Sequence, residues 1–66
     1  MSVAKVIEIT ADSEKGFDDA VRRGIEKAGE TLDNIRAAWV ANQEVFVEDN
    51  RVRTYRVHLK VTFVLA

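Results

Sequence analysis

Tyr55, Val57, Leu59, Val61, Phe63 and Leu65 alternate with Thr54, Arg56, His58, Lys60 and Thr62 near the end of the chain. Side chains on a strand point to opposite faces with a period of two, so this run predicts a long strand with one buried face and one solvated face. Such a strand needs partners and a cover. The rest of the chain must supply both.

Two further strands and one helix are legible. Val3 to Thr10 is rich in β-branched residues (Val3, Val6, Ile7, Ile9, Thr10) and reads as a strand. Ile35 to Val47 reads as another, with Ile35, Ala37, Trp39, Ala41, Val45 and Val47 expected on one face. Between them, Phe17, Ala20, Val21, Gly24, Ile25 and Ala28 recur at helical spacing and predict a helix from Glu14 to Ala28. Asp12 or Ser13 is the expected N-cap, and Gly29 the expected C-terminal stop. Asp18–Arg22 and Asp19–Arg23 have the i,i+4 spacing of helix ion pairs. Gly24 interrupts the apolar stripe at a cost of about 1 kcal/mol relative to Ala, which predicts a close approach of helix to sheet. Asp49-Asn50 can adopt positive φ and predicts the turn between the last two strands.

The first two strands run parallel across the helix, and the third returns antiparallel. Placing it between the others pairs it antiparallel to both. The expected fold is therefore α+β, a β-α-β-β unit with a three-stranded antiparallel sheet in the order 1-3-2, forming a single domain over residues 1–66.

A helix of this length spans roughly 22 Å. The last two strands would span roughly 40 Å each. One helix covers about half of such a sheet and leaves Trp39 or Val45 and part of the third strand uncovered. Exposed apolar patches and open strand edges both mark association surfaces. A chain of 66 residues without cysteine also lacks disulfides to stabilise a small core. Self-association into a closed symmetric oligomer is the expectation.

Charge excludes some functions. Lys and Arg number 10 against 11 Asp and Glu, and the signs alternate along the chain. A nucleic-acid binder is expected to carry a basic stripe, which is missing here. No apolar run approaches the roughly 18 residues of a membrane span, and the N-terminus has no signal-peptide pattern. A cytoplasmic location is the expectation, consistent with the absence of cysteine. There is no Ser/His/Asp, Cys/His or Gly-rich phosphate signature, so no catalytic residue is assigned. His58 lacks a second nitrogen or sulfur ligand nearby and is not assigned to a metal. Glu44, Glu48 and Asp49, or Asp18 and Asp19, would hold a hard cation only if several copies converged.

Several segments together resemble the dodecin family. They are Val6-Ile7-Glu8-Ile9-Thr10, Ser13 before the helix, Thr31-Leu32-Asp33-Asn34-Ile35, Arg53-Thr54-Tyr55-Arg56-Val57 and Lys60-Val61-Thr62-Phe63. The resemblance covers nearly the whole chain in the same order. It implies a helix wrapped by a three-stranded sheet and twelve subunits forming a hollow shell. It further implies a non-catalytic role in binding or storing flavin (riboflavin or FMN) as stacked pairs at subunit contacts.

The resemblance also places candidate site residues. The family's stacking Trp falls on Ala37, whereas the Trp of this chain is Trp39, two residues later on the same side of the strand. The family's Gln at the isoalloxazine edge falls on Arg56. A basic residue of many bacterial members falls on Glu44, and Asn42 occupies a position common for polar flavin-edge contacts. Ala37, Trp39, Asn42 and Arg56 are thus the expected flavin-binding residues. Trp39 could instead fill a core or a subunit interface, and Arg56 could instead form an ion pair across the sheet. These substitutions resemble a divergent branch linked to calcium, so a structural or calcium-binding shell is the alternative.

Overall fold

The computed structural model describes residues 2–65. Its elements are β1 (Ala4–Ser13), α1 (Phe17–Ala28), β2 (Ile35–Glu48) and β3 (Arg51–Val64). The sheet order is β1-β3-β2, and both pairings are antiparallel. The fold class and strand order match those expected from the sequence.

Helix α1 packs on β1 and β3. The core consists of Ala20, Val57, Leu59 and Val61, with Ile7, Ile9, Ala11, Phe17, Val21, Ile25 and Ile35 packed around it. The alternation of β3 is realised as read: Val57, Leu59 and Val61 are buried, and Lys60 between them is exposed. Phe17 meets Tyr55 edge-to-face at 5.1 Å between ring centroids, which closes the N-terminal end of the helix onto the sheet. Gly24 is the point of closest approach. A Cβ there would lie 3.0 Å from the Ala11 Cβ and 3.2 Å from Leu59 Cδ1. That contact accounts for a glycine in mid-helix.

The helix start differs from the sequence expectation. β1 continues to Ser13, paired with Tyr55, because the ladder with β3 satisfies those backbone groups better than an early helical turn would. The helix then begins at Phe17, with Gly16 in extended backbone at its N-cap. Neither Asp12 nor Ser13 is the N-cap. Asp12 faces away from the helix, and Ser13 organises the approach to it. Its Oγ accepts the Lys15 N–H at 2.9 Å and donates to Asp19 Oδ2 at 2.6 Å. Asp19 also takes Arg23 Nε at 2.7 Å, as its spacing predicts, whereas Asp18 and Arg22 do not pair. The Ser13 hydroxyl, and then Arg23, hold the Asp19 carboxyl below the usual carboxylate range.

At the other end, Gly29 does not make a left-handed stop. It remains right-handed (φ −66°), and the chain tightens through Glu30 and Thr31 N–H bonds to the Lys27 and Ala28 carbonyls. The left-handed residue is Asn34 (φ 60°), just before β2. Asp49 and Asn50 both have positive φ (54° and 61°), so the β2–β3 hairpin turns through the two residues the sequence indicated.

The largest departure is in β2. Register shifts fall between Ile35 and Ala37 and between Val40 and Asn42. Each inserts one extra residue opposite β3 and reverses the alternation. Ile35 therefore packs towards the helix, opposite Phe63, whereas Ala37 and Trp39 lie opposite Thr62 and Lys60 on the other face. Beyond the second bulge, Asn42, Glu44 and Phe46 continue the face of Trp39, and Val45 turns to the helix side opposite Tyr55. The single face expected from Ile35 to Val47 does not exist.

The molecule extends 51 Å along its longest axis. A helix of 12 residues is about 18 Å long. Every residue of β2 after Ile35 is exposed. Val45, Phe46, Val47 and Val52 form an apolar end of the β2–β3 hairpin beyond the helix. The mismatch of strand and helix length expected from the sequence is present, and it leaves both faces of β2 uncovered.

Candidate functional site on the helix-free face of the sheet

The face of the sheet turned away from α1 collects the polar side of all three strands. Glu8, Thr10 and Asp12 of β1 lie opposite Lys60, His58 and Arg56 of β3, which in turn face Trp39, Asn42 and Glu44 of β2. The first two bulges in β2 create this arrangement. Without the second, Asn42 and Glu44 would point to the helix side.

Arg56 ties the three strands together. Its Nε and Nη2 donate to Asp12 Oδ1 and Oδ2 at 2.7 and 2.9 Å, a two-pronged contact with β1. Its guanidinium lies 4.5 Å from the centroid of the Phe46 ring on β2. The Arg56 hydrogen bond, and then its charge, hold the Asp12 carboxyl below the usual range, while Asp12 raises Arg56 in return. The ion pair across the sheet is therefore present. It uses Nε and Nη2, and leaves Nη1 as a donor for a ligand.

The next cross-strand contact joins His58 Nε2 to Glu44 Oε1 at 3.1 Å. Beyond it, Lys60 Nζ lies 5.9 Å from the centroid of the Trp39 ring. Trp39 is 72% exposed, so it fills no core within the chain. A shallow hollow of about 340 Å³ on the same face is lined by Glu8, Thr10, Ala41, His58 and Lys60 among others. Sequence reasoning did not single out Lys60, Thr10 or Asp12 as parts of this site. Thr10 and Asp12 come to it through the unbroken β1–β3 register, and Lys60 meets Trp39 through the first bulge of β2.

The four expected flavin-binding residues share this face: Ala37, Trp39 and Asn42 on β2 and Arg56 on β3. Val40 and Asn42 flank the bulge at Ala41, and Trp39 precedes it. Arg56 stands farther along, at the level of Glu44, separated from Trp39 by the levels of Leu59, His58 and Val57. The carboxylates considered for a cation are scattered. Glu44 bonds His58, Glu48 lies 3.9 Å from Arg53, and Asp19 is held by Ser13 and Arg23. Among the described residues, no three His, Asp or Glu side chains converge as metal ligands. Among the described residues, no helix is long and apolar enough to cross a membrane.

The arrangement offers an accessible aromatic face, a row of fixed charges and a hollow beside them. The profile of the Dodecin family matches residues 3–66 of the chain. Calcium dodecin of Mycobacterium tuberculosis is 36% identical over 63 residues, spanning 96% of this chain and 89% of that protein. A dodecin from Streptomyces davaonensis superimposes with a TM-score of 0.95 at 31% identity, covering 98% of this chain and 96% of the other. The crystal structure of the calcium-chelating antigen calcium dodecin, described as having a novel calcium-binding site, superimposes with a TM-score of 0.85 at 34% identity, covering 98% and 93%. The order of elements, the sheet register and these similarities agree, and the chain belongs to the dodecin family.

Proposed function

We propose that the chain is one subunit of a closed, non-catalytic homododecamer that binds and stores a flavin, riboflavin or FMN, at subunit contacts in the cytoplasm. The observation that carries this reading is the Trp39 ring, exposed on a sheet face whose strand β2 is covered on neither side. An aromatic ring so placed offers a stacking surface, and stacking on a planar base contributes about 1–3 kcal/mol. Ala37 and Asn42 flank it along β2, and Arg56 presents Nη1 farther along the same face. The uncovered apolar end of the hairpin supports self-association, because a second copy can bury it. The number twelve rests on the family resemblance.

The test is a titration of riboflavin or FMN with a micromolar excess of subunits. Quenching of the flavin fluorescence supports the reading. Full retention of fluorescence by both flavins overturns it.

The similarity to a protein named calcium dodecin supports a second reading, a cation-binding shell. The carboxylates of one subunit do not converge, so this reading needs copies meeting at a symmetry axis. Thermal stability that is unchanged after calcium is chelated counts against it.

A further inference from the structure

Of the basic side chains along the polar row of β3, two are already engaged. Arg56 is forked onto Asp12 and His58 is bonded to Glu44. Lys60 makes no ion pair among the described residues, although Glu8 stands opposite it in the ladder. Its ammonium lies near the Trp39 ring and its side chain also lines the hollow. Lys60 thus stands at the junction between the stacking surface and the cavity beside it.

We infer that Lys60 is the specificity-determining residue of the Trp39 site, selecting planar aromatic ligands that carry an anionic tail. The inference rests on the flavin-binding reading and adds to it a choice between ligands. The ring stacks on Trp39, and the tail passes Lys60 into the hollow, where the Thr10 hydroxyl and the Lys60 ammonium donate to it. Lys60 exchanges a weak contact with an aromatic face for a charge-assisted hydrogen bond, which is the stronger interaction. A neutral tail gains no such exchange. Glu8 across the ladder opposes an anion placed on its side, so the tail is held towards His58 and Thr10.

The experiment compares riboflavin with its 5′-phosphate on the assembled protein, on Lys60→Met and on the charge-retaining Lys60→Arg, at low and high salt. The expected result is a preference of about tenfold for the phosphate. That preference falls to within about twofold in Lys60→Met, is retained in Lys60→Arg and weakens at 1 M salt. If both flavins bind but with equal affinity, or if the preference survives in Lys60→Met, the role of Lys60 is overturned while the flavin-binding reading stands. If neither flavin binds, both are overturned.

Discussion

Arg56 grips Asp12 with two hydrogen bonds, 2.7 and 2.9 Å long, across the β1–β3 ladder, with the Phe46 ring beneath its guanidinium. One side chain on the central strand thus joins both outer strands on the face that the helix does not cover.

This contact gives a pH dependence of known sign. The folded-state value of Asp12 lies below its ordinary 3.8. Its contribution to stability is therefore complete above that value and is lost as the pH falls through the folded value. Asp19, lowered by Ser13 and Arg23, acts in the same direction. Asp12→Asn is expected to be less stable than the parent at neutral pH, with the gap closing in acid. Both partners are partly exposed, so 1 M salt should narrow the gap as well. Denaturant unfolding of both proteins between pH 2 and 7 checks this. An equal gap at every pH would show that the Asp12 carboxylate contributes no charge-dependent stability.

Gly24 and Gly16 are expected to respond differently to the same substitution. A Cβ at Gly24 meets the Ala11 Cβ at 3.0 Å, a carbon fixed to the strand, and the buried Leu59 at 3.2 Å. Overpacking of that kind typically costs 1–3 kcal/mol, against about 1 kcal/mol gained in helix propensity. Gly24→Ala should therefore lose about 1 kcal/mol, and Gly24→Val more. Gly16 has extended backbone and nothing within 4 Å of its added carbon, so Gly16→Ala should change stability by less than about 0.5 kcal/mol. Thermal or urea unfolding of the three variants separates the two positions.

Trp39 is the only tryptophan in the chain, so intrinsic tryptophan fluorescence reports on this face alone. Added riboflavin or FMN should quench it with the same midpoint as the loss of flavin emission. Trp39→Ala should weaken flavin binding by about 10- to 100-fold, from the stacking energy of one ring. The fold of the subunit should survive, because the ring is exposed and touches none of the core. Far-ultraviolet circular dichroism beside the titration checks both halves of the statement. Undiminished binding by Trp39→Ala would remove the ring from the site.

The sequence shows β3 most clearly because both its faces obey one uninterrupted period from Tyr55 to Phe63. Buried Val57, Leu59 and Val61 and the solvated residues between them fix the sheet. Strand order and the Asp49-Asn50 turn follow from connection chemistry and are equally legible. The faces of β2 are not, because a bulge changes parity without changing residue type. Ala37 and Trp39 share one side, Val45 lies on the other, and nothing in Val40-Ala41-Asn42 announces the extra residue. The helix start was obscured for a related reason. Asp12 and Ser13 have the chemistry of caps, but a continuing ladder claims their backbone, and their side chains serve Arg56 and Asp19 instead. The site shares this limit: Trp39 stands out as a lone tryptophan, whereas the neighbours it gains from β3 depend on register.

An extended β2 exposed on both faces beside a core of four fully buried apolar side chains is a poor monomer. Phe46→Glu combined with Val47→Lys places charge at the apolar end of the hairpin and should drive the protein towards small or unfolded species. The direct measurement is the mass of the parent protein in solution by light scattering or native mass spectrometry. The expected result is a single closed species near twelve times the subunit mass of 7.4 kDa. A folded species of 7.4 kDa at micromolar concentration would contradict it.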